Sequence, residues 1–172
     1  TLATAIHHLA THPRDQAALR ADPGLIVTAC EEFLRAYAPV TVARQVVTDT
    51  LLGGQALHPG EMVLLSFPSA NRDETVFDRP DELILDRSPN PHLAFGIGPH
   101  FCLGANLARM EVKTVFQELL SRFPDIRITD PRYIDAGRTV VCTFTAVGTH
   151  EGPPGTFPAT GREFALPLCE MW

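Results

Sequence analysis

The chain has 172 residues, 45% hydrophobic and 20% charged, and this balance predicts one globular unit with an apolar core rather than a disordered chain. A formal net charge of −6 provides no basic surface for nucleic acid, so we expect small-molecule chemistry and no nucleic-acid partner. We find no signal peptide and no apolar run of about 18 residues, and therefore expect no membrane segment. The four cysteines form no CxxC pair, which is typical of reduced thiols in the cytoplasm.

Helical patterns dominate the first part of the chain. Residues 1–10 have the pattern of a helix interior with no cap before it, so we expect the chain to begin inside a helix. Pro13 ends this run, because proline lacks an amide proton and crowds the preceding turn. Residues 15–21 and 25–37 predict two further helices, the second of which places its apolar residues at helical spacing.

Short strands follow these helices. Residues 41–49 and 62–67 are rich in β-branched and apolar residues and are bounded by Gly-Gly and Pro-Gly turns, which predicts a small β element. Residues 68–91, which we call the meander, are rich in Asp, Arg, Asn and Pro and predict a long loop with one short helix. Long ordered loops tend to carry function.

The strongest helical pattern covers residues 103–123. Its predicted apolar stripe consists of Leu107, Met110, Val115, Leu119 and Leu120. Weak alternation in 126–128 and 139–145 predicts short strands, whereas 142–162 is long and irregular. Together these patterns predict a mixed α+β fold, mainly α with small β-sheets. We expect Cys30, Cys142 and Cys169 to be small buried hydrophobes.

The stretch FGIGPHFCLG, residues 95–104, places Cys102 among glycines just before that helix. Phe101 stands where a dinucleotide-binding GxGxxG loop needs its third glycine, which argues against such a loop. His92, His100 and Cys102 match no common zinc spacing. A nucleophilic cysteine with His100 as its base stays open, because the two residues are close in sequence.

A further interpretation is a flat cofactor whose metal binds one sulfur atom. Gly96 and Gly98 permit positive φ and remove side chains that would collide with a ring, and Gly104 would do the same where the helix approaches. Cys102 lies at the amino end of the helix, where unpaired amides and the helix dipole favour the thiolate that a metal needs.

These residues resemble the haem-binding signature of the cytochrome P450 monooxygenases, Phe-Gly-x-Gly-x-His/Arg-x-Cys-x-Gly, which residues 95–104 match at every fixed position. Glu32 and Arg35 supply the Glu-x-x-Arg pair of the same family, and Arg87 resembles its third partner. Taken alone, such a pair is usually a solvated contact worth about 0.3 kcal/mol. The resemblance implies instead a structural Glu32–Arg35–Arg87 cluster that pins the meander to the helix.

The resemblance also implies roles around the cofactor. Cys102 would be the axial ligand of the haem iron, because a thiolate pushes electron density onto iron and favours O–O cleavage. Arg44 and His100 would be partners of the haem propionates, although Arg44 could equally be an exposed strand residue. The ring of Phe95 and the backbone of Gly96, Gly98 and Gly104 would approach the haem. Thr1 would be the alcohol of a proton relay whose acid partner lies upstream, or else a capping or exposed residue.

The function implied by the resemblance is that of a haem-thiolate monooxygenase carrying haem b. It would insert one oxygen atom of dioxygen into a small organic substrate, with electrons from a donor such as ferredoxin and ferredoxin reductase. Arg109 and Lys113 lie on the helix face that receives this donor in the family, or form a solvated face. Other hypotheses are a haem-binding remnant or sensor without oxygenase activity, and a truncated reading frame that does not fold.

The implied fold is the carboxy-terminal part of the cytochrome P450 fold. The resemblance covers residues 1–145 of a single partial domain, 1–172, and leaves 146–172 as a divergent tail. In that tail, residues 165–168 and Trp172 resemble the family's common ending. The irregular stretch 142–162 departs from the family's pattern, in which a last β-hairpin is expected.

Overall fold

The computed structural model of the chain describes residues 1–135, 137, 139–152 and 158–171. The helices are α1 (Leu2–Thr11), α2 (Pro13–Ala21), α3 (Ile26–Ala36), α4 (Phe67–Ala70) and α5 (Ala105–Arg122). The strands are β1 (Thr41–Gln45), β2 (Thr50–Leu52), β3 (Gln55–Leu57), β4 (Met62–Ser66), β5 (Arg127–Asp135), β6 (Val140–Thr149) and β7 (Glu163–Met171). Helices combined with small antiparallel sheets confirm the predicted α+β class.

The first three helices follow from local signals. Pro13 ends α1 and is also the first residue of α2, where its missing amide proton costs no hydrogen bond. A short 3-10 turn, Pro23–Leu25, precedes α3, and the Asp22 carboxylate caps it by accepting from the amide of Gly24 at 2.9 Å. The predicted helices over 1–10, 15–21 and 25–37 are confirmed to within a few residues.

The main core lies where α1, α2, α3 and α5 pack together. Phe33 of α3 and Phe116 of α5 are fully buried and meet edge to face, with ring centroids 5.1 Å apart. A second cluster joins Ile6 of α1 to Ile126, which directly precedes β5, and to Ala146 of β6 in the carboxy-terminal sheet. Helix α1 therefore contacts both the helical core and the sheet.

The predicted apolar stripe of α5 is wrong in part. Its buried residues are Ala105, Val112, Phe116 and Leu120. Leu107 and Met110 are exposed to 54% and 59%, and Val115 and Leu119 are half-buried. The helix carries apolar residues on more than one face, and contact with Phe33 of α3 selects the face that is buried.

The β element is a pair of two-stranded antiparallel sheets, β1–β4 and β2–β3. Strand β1 ends at Gln45, earlier than predicted, and pairs with β4 from Thr41 opposite Ser66 to Gln45 opposite Met62. The β2–β3 hairpin was not predicted, although its Gly53-Gly54 turn was. Both glycines have positive φ, 57° and 84°, as a tight two-residue turn requires.

The carboxy-terminal sheet has the order β5-β6-β7, with β6 in the centre. Strand β6 pairs with β7 from Val141 opposite Met171 to Thr149 opposite Glu163, so the last hairpin is present and 142–149 is regular. Trp172 and part of the predicted irregular stretch, 153–157, lie outside the described residues. In the part of the chain that the structure describes, no helix is long and apolar enough to cross a membrane.

The cysteine prediction is correct for two of the three residues. Cys30 and Cys142 are buried, and burial together with the neighbouring Glu31 raises the pKa of the Cys30 thiol to about 12. Cys169, however, is exposed. It lies on edge strand β7, on the face opposite Phe164 and Leu168, which pack against the core.

The core assignment of α5 predicts unequal effects of two truncations on the same helix. Phe116→Ala should lower the free energy of unfolding by about 3–5 kcal/mol, because a fully buried ring is removed and a cavity remains. Leu107→Ala should change it by less than about 0.5 kcal/mol, because Leu107 is mainly exposed. Urea unfolding followed by circular dichroism measures both, and equal losses would contradict the assignment.

Candidate functional site

Residues 93–104, which we call the cysteine loop, connect the meander to α5. Its turns are closed by hydrogen bonds from the amide of Gly96 to the Leu93 carbonyl at 2.9 Å and from the amide of Cys102 to the Phe95 carbonyl at 2.9 Å. Gly96 and Gly98 have φ values of 72° and 71°. The loop thus uses glycine where the backbone enters the left-handed region.

Gly104 does not share this conformation. Its φ is −84°, an ordinary value, and it is the residue preceding the first turn of α5. Gly104 therefore makes no use of the left-handed region, and its expected role of leaving out a side chain where the helix approaches a ring stays a prediction. A Cβ at this position would lie 3.9 Å from Cys102 Sγ, which makes Gly104 the residue beside the sulfur atom.

An apolar cavity of about 750 Å³ lies between the cysteine loop, the end of α3 and the β1–β4 sheet. This volume is typical of a small-molecule site. Among the sequence-predicted residues, the cavity wall includes Thr1, Arg44, Phe95, Gly96, His100 and Cys102. Residues that are up to 101 positions apart in the chain therefore meet at one cavity, whereas Gly98 and Gly104 lie beside it in the loop.

The polar groups of this wall differ in their surroundings. Cys102 and His100 are exposed, so the sulfur atom is accessible from the cavity side. Arg44 is an exposed strand residue whose guanidinium donates to the Ala43 carbonyl at 2.9 Å. The hydroxyl of Thr1 donates to the Tyr37 carbonyl at 2.9 Å, and its side chain makes no cap to α1.

Glu32, Arg35 and Arg87 meet in one buried cluster. Glu32 and Arg35 are fully buried, and Arg87 is 9% exposed. Arg35 donates to both carboxylate oxygens of Glu32, at 2.7 and 2.9 Å, and Nε of Arg87 lies 3.0 Å from each of them. The pair is thus a buried ionic contact with two guanidinium groups on one carboxylate, not a solvated surface pair.

The remaining donors of the two arginines hold the meander. Arg35 donates to the carbonyls of Asn71 at 2.8 Å and Pro80 at 2.7 Å, and Arg87 donates to the carbonyl of Asp78 at 2.6 Å. Burial by itself raises the pKa of the Glu32 carboxyl, but hydrogen bonds from Arg35, the Ile84 amide and Arg87 outweigh burial and lower it. The carboxylate therefore stays ionised inside the protein.

Asn71 is a positioning residue that the sequence did not reveal. It is fully buried, its side-chain amide donates to the Arg35 carbonyl at 3.2 Å, and its Oδ1 accepts from the amide of Leu93 at 2.7 Å. Asn71 therefore links α3 to the first residue of the cysteine loop. One asparagine within a polar meander carries no sequence signal that separates it from turn residues.

Glu31 forms a second set of contacts that was not predicted. Its carboxylate lies 3.0 Å from Nε2 of His92 and accepts from Arg109 at 2.7 and 3.0 Å. The bond to His92 has the largest effect on the pKa of Glu31, which these bonds lower to about 2 against the opposing effect of burial. Arg109 is thus engaged within the molecule, whereas Lys113 is exposed.

The cluster on Glu32 predicts a large loss of stability when its charge is removed. Glu32→Gln should lower the free energy of unfolding by about 3–5 kcal/mol, because two buried guanidinium groups lose their counterion. Glu82→Gln is the control, since its side chain is exposed and forms its ion pair with Arg79, which is also exposed. Urea unfolding should show almost no change for the control, and a Glu32→Gln midpoint equal to the control's would refute the role of the cluster.

The low pKa of Glu31 predicts a pH-dependent contribution to stability. Because the pKa falls from 4.5 to about 2 on folding, the contribution is complete above 4.5 and is lost as pH falls towards 2. The difference in unfolding free energy between wild type and Glu31→Gln should therefore be constant above about pH 5 and shrink below about pH 4.5. Urea unfolding from pH 7 to pH 3 measures it, and a difference that is flat across this range contradicts the assignment.

Comparison with known proteins places these features in a family. The family model described as cytochrome P450 matches residues 25–143. The putative cytochrome P450 126 of Mycobacterium tuberculosis is 48% identical over 124 residues, which are 72% of this chain and 30% of that protein. Cytochrome P450-terp of a Pseudomonas species is 43% identical over 74% of this chain and 30% of its own length.

Solved structures with a similar fold are also cytochromes P450. CYP109E1 from Bacillus megaterium in complex with corticosterone has a TM-score of 0.73 and 36% identity, and the match covers 79% of this chain and 38% of that one. The polyketide synthase cytochrome P450 PksS of Bacillus subtilis has a TM-score of 0.70 and 37% identity, covering 78% and 37%. The chain spans about a third of the length of its curated relatives, 30% to 33%. On its sequence match and its fold, this chain belongs to the cytochrome P450 family.

Proposed function

We propose that this chain is the haem-binding portion of a haem-thiolate monooxygenase whose cofactor is haem b. The observation that carries the proposal is the accessible sulfur of Cys102 in the wall of a largely apolar cavity of about 750 Å³ that also includes Arg44 and His100. These residues fit the group, because a haem needs an apolar cavity for its ring, one axial ligand for iron and cationic or donor groups for its propionates.

In this proposal each residue of the wall has one task. Cys102 binds the iron as a thiolate, and Arg44 and His100 bind the propionates. Phe95, Gly96, Gly98 and Gly104 give the loop a backbone that approaches the ring closely. When bound, the haem would supply dioxygen activation, which a thiolate ligand favours by pushing electron density onto iron. Glu32, Arg35 and Arg87 act structurally, by fixing the meander that leads into the loop.

Thr1 is proposed as a proton-relay residue. Thr1 is a residue of the cavity wall, and its hydroxyl donates a hydrogen bond to the Tyr37 carbonyl. A hydroxyl that donates one bond keeps lone pairs with which it can accept another, and this capacity is what a relay requires. Proton movement through Thr1 Oγ1 would thus begin with rotation of the hydroxyl away from the Tyr37 carbonyl.

The proposed net reaction inserts one atom of dioxygen into a C–H bond of a small organic substrate and reduces the other atom to water, using two electrons and two protons. An apolar cavity favours an apolar substrate. Among the relatives, one is named a steroid C26-monooxygenase, of Mycolicibacterium smegmatis, at 44% identity over 76% of this chain. We propose a ferredoxin with its reductase as the electron donor, and a cytoplasmic location.

We further propose that residues 1–172 form one domain unit, because α1 packs against both the helical core and the carboxy-terminal sheet.

A second candidate function is a haem-binding remnant or sensor without oxygenase activity. It is favoured by the exposure of an apolar residue of the cysteine loop that lines the cavity, since Ile97 is 76% exposed. An apolar wall this open gives water access to a bound haem.

The spectrum of the reduced, carbon-monoxide-bound protein tests haem-thiolate ligation. The purified chain with added haem should give a red-shifted Soret band that disappears in Cys102→Ala, because the sulfur ligand is removed. Cys169→Ala is the matched control, since Cys169 is also an exposed cysteine and lies on β7, outside the cavity wall. Absence of the band in the wild type refutes thiolate ligation of haem by this chain, and product formation with an electron donor would favour the monooxygenase over the sensor.

A further inference from the structure

We propose that Glu31 is a positioning residue for Cys102, acting through Arg109, His92 and Phe95 to hold the cysteine loop in the conformation that presents the sulfur atom. The proposal rests on the proposed haem-thiolate function for its purpose, although its contacts belong to the chain itself. Glu31 is adjacent to the Glu-x-x-Arg pair but has separate partners, so its task differs from that of Glu32.

The Glu31 carboxylate connects three parts of the chain. Glu31 lies on α3, His92 directly follows the meander and Arg109 lies in the second turn of α5. Oε2 of Glu31 meets both His92 and Arg109, and Oε1 accepts from Nε of Arg109 at 2.7 Å. His92 immediately precedes the cysteine loop and α5 immediately follows it. Glu31 therefore ties together both ends of the loop.

Arg109 also contacts a residue inside the cysteine loop. The guanidinium carbon of Arg109 lies 4.8 Å from the centre of the Phe95 ring, a cation–π distance. The carboxylate of Glu31 holds the guanidinium by two hydrogen bonds, and the planar group therefore has a fixed orientation over the ring. Phe95 also packs against buried Leu34, Ala38 and Ala94. The ring is thus held between an apolar cluster and a cation.

Phe95 is in turn linked to Cys102 through the backbone. The Phe95 carbonyl accepts a hydrogen bond from the amide of Cys102 at 2.9 Å. Movement of Phe95 would therefore move the backbone that bears the sulfur atom. His92 adds a second restraint, because its Nδ1 accepts from the amide of Ala94 at 3.2 Å while its Nε2 faces Glu31. Both paths from Glu31 end within the loop.

Hydrogen exchange of individual backbone amides tests the proposal in the full 172-residue chain. In Glu31→Gln the amide of Cys102 should exchange about tenfold faster than in the wild type, because the loop opens more often once Arg109 and His92 lose their charged partner. The amide of Phe116, in the middle of α5, reports the loss of global stability that Glu31→Gln also causes, and it should be accelerated less than the amide of Cys102. A general loss of stability would instead accelerate both amides together.

Glu118→Gln is the matched control, because it removes an ionic contact to Arg122 that lies on α5 but away from the loop. Arg109→Met should reproduce the effect of Glu31→Gln, and the double variant should add little to either, since both break the same path. If the Cys102 amide of Glu31→Gln exchanges within twofold of the Glu118→Gln control, the proposal is overturned. If Glu31→Gln unfolds, Arg109→Lys decides, because it keeps the charge but loses the planar group over Phe95.

A spectroscopic measurement separates failure of this proposal from failure of the proposed function. In the haem-loaded chain, Glu31→Gln should lower the share of the red-shifted carbon-monoxide band, while Glu118→Gln should leave it unchanged. A wild-type chain that gives no such band refutes haem-thiolate ligation, yet the exchange comparison at Cys102 still decides whether Glu31 positions the loop. Unchanged exchange together with an unchanged band share would overturn the positioning role alone.

Discussion

The sharing of the buried Glu32 carboxylate between Arg35 and Arg87 is the interaction on which the rest of the structure depends. Burying charges is costly unless they are paired and hydrogen-bonded. Here one carboxylate faces two guanidinium groups, and the remaining donors of the arginines are satisfied by carbonyl groups of the meander. Most residues of the meander are polar, although Phe77 is buried and Leu83 and Leu85 pack against the main core, so these bonds and those three side chains together define its path. Every element after it is placed relative to that path.

Two consecutive glutamates on α3 divide the work of holding the candidate site. Glu32 points into the protein and fixes the meander, whereas Glu31 is partly exposed and contacts His92 and Arg109 on either side of the cysteine loop. Successive residues of a helix point about 100° apart, so neighbouring side chains can serve two different elements. Asn71 connects the two arrangements, since it bonds to both Arg35 and Leu93. A site supported by such a set of contacts is pre-organised.

Local sequence patterns are sufficient to predict some features of this structure. Pro13 and the turn at Asp22 predicted the helix boundaries, because proline and capping residues act through the backbone near them. The buried face of α5 and the exposure of Cys169 were predicted wrongly. Both depend on which neighbour an apolar residue meets, and a helix with several apolar faces or an edge strand does not encode that neighbour locally. The β2–β3 hairpin was missed because its strands are short and exposed.

By itself the sequence determined the motif FGIGPHFCLG, the Glu-x-x-Arg pair and hence the resemblance to the cytochrome P450 family, because these depend on residue type at fixed spacing. It also fixed where glycine permits positive φ in the cysteine loop. Only the tertiary structure decided that Thr1, Arg44, His100 and Cys102 share one cavity wall, and that Glu31, Asn71 and His92 support the loop. The physical reason is that these contacts join residues far apart in the chain, and their geometry exists only once the buried charges of α3 have placed the meander.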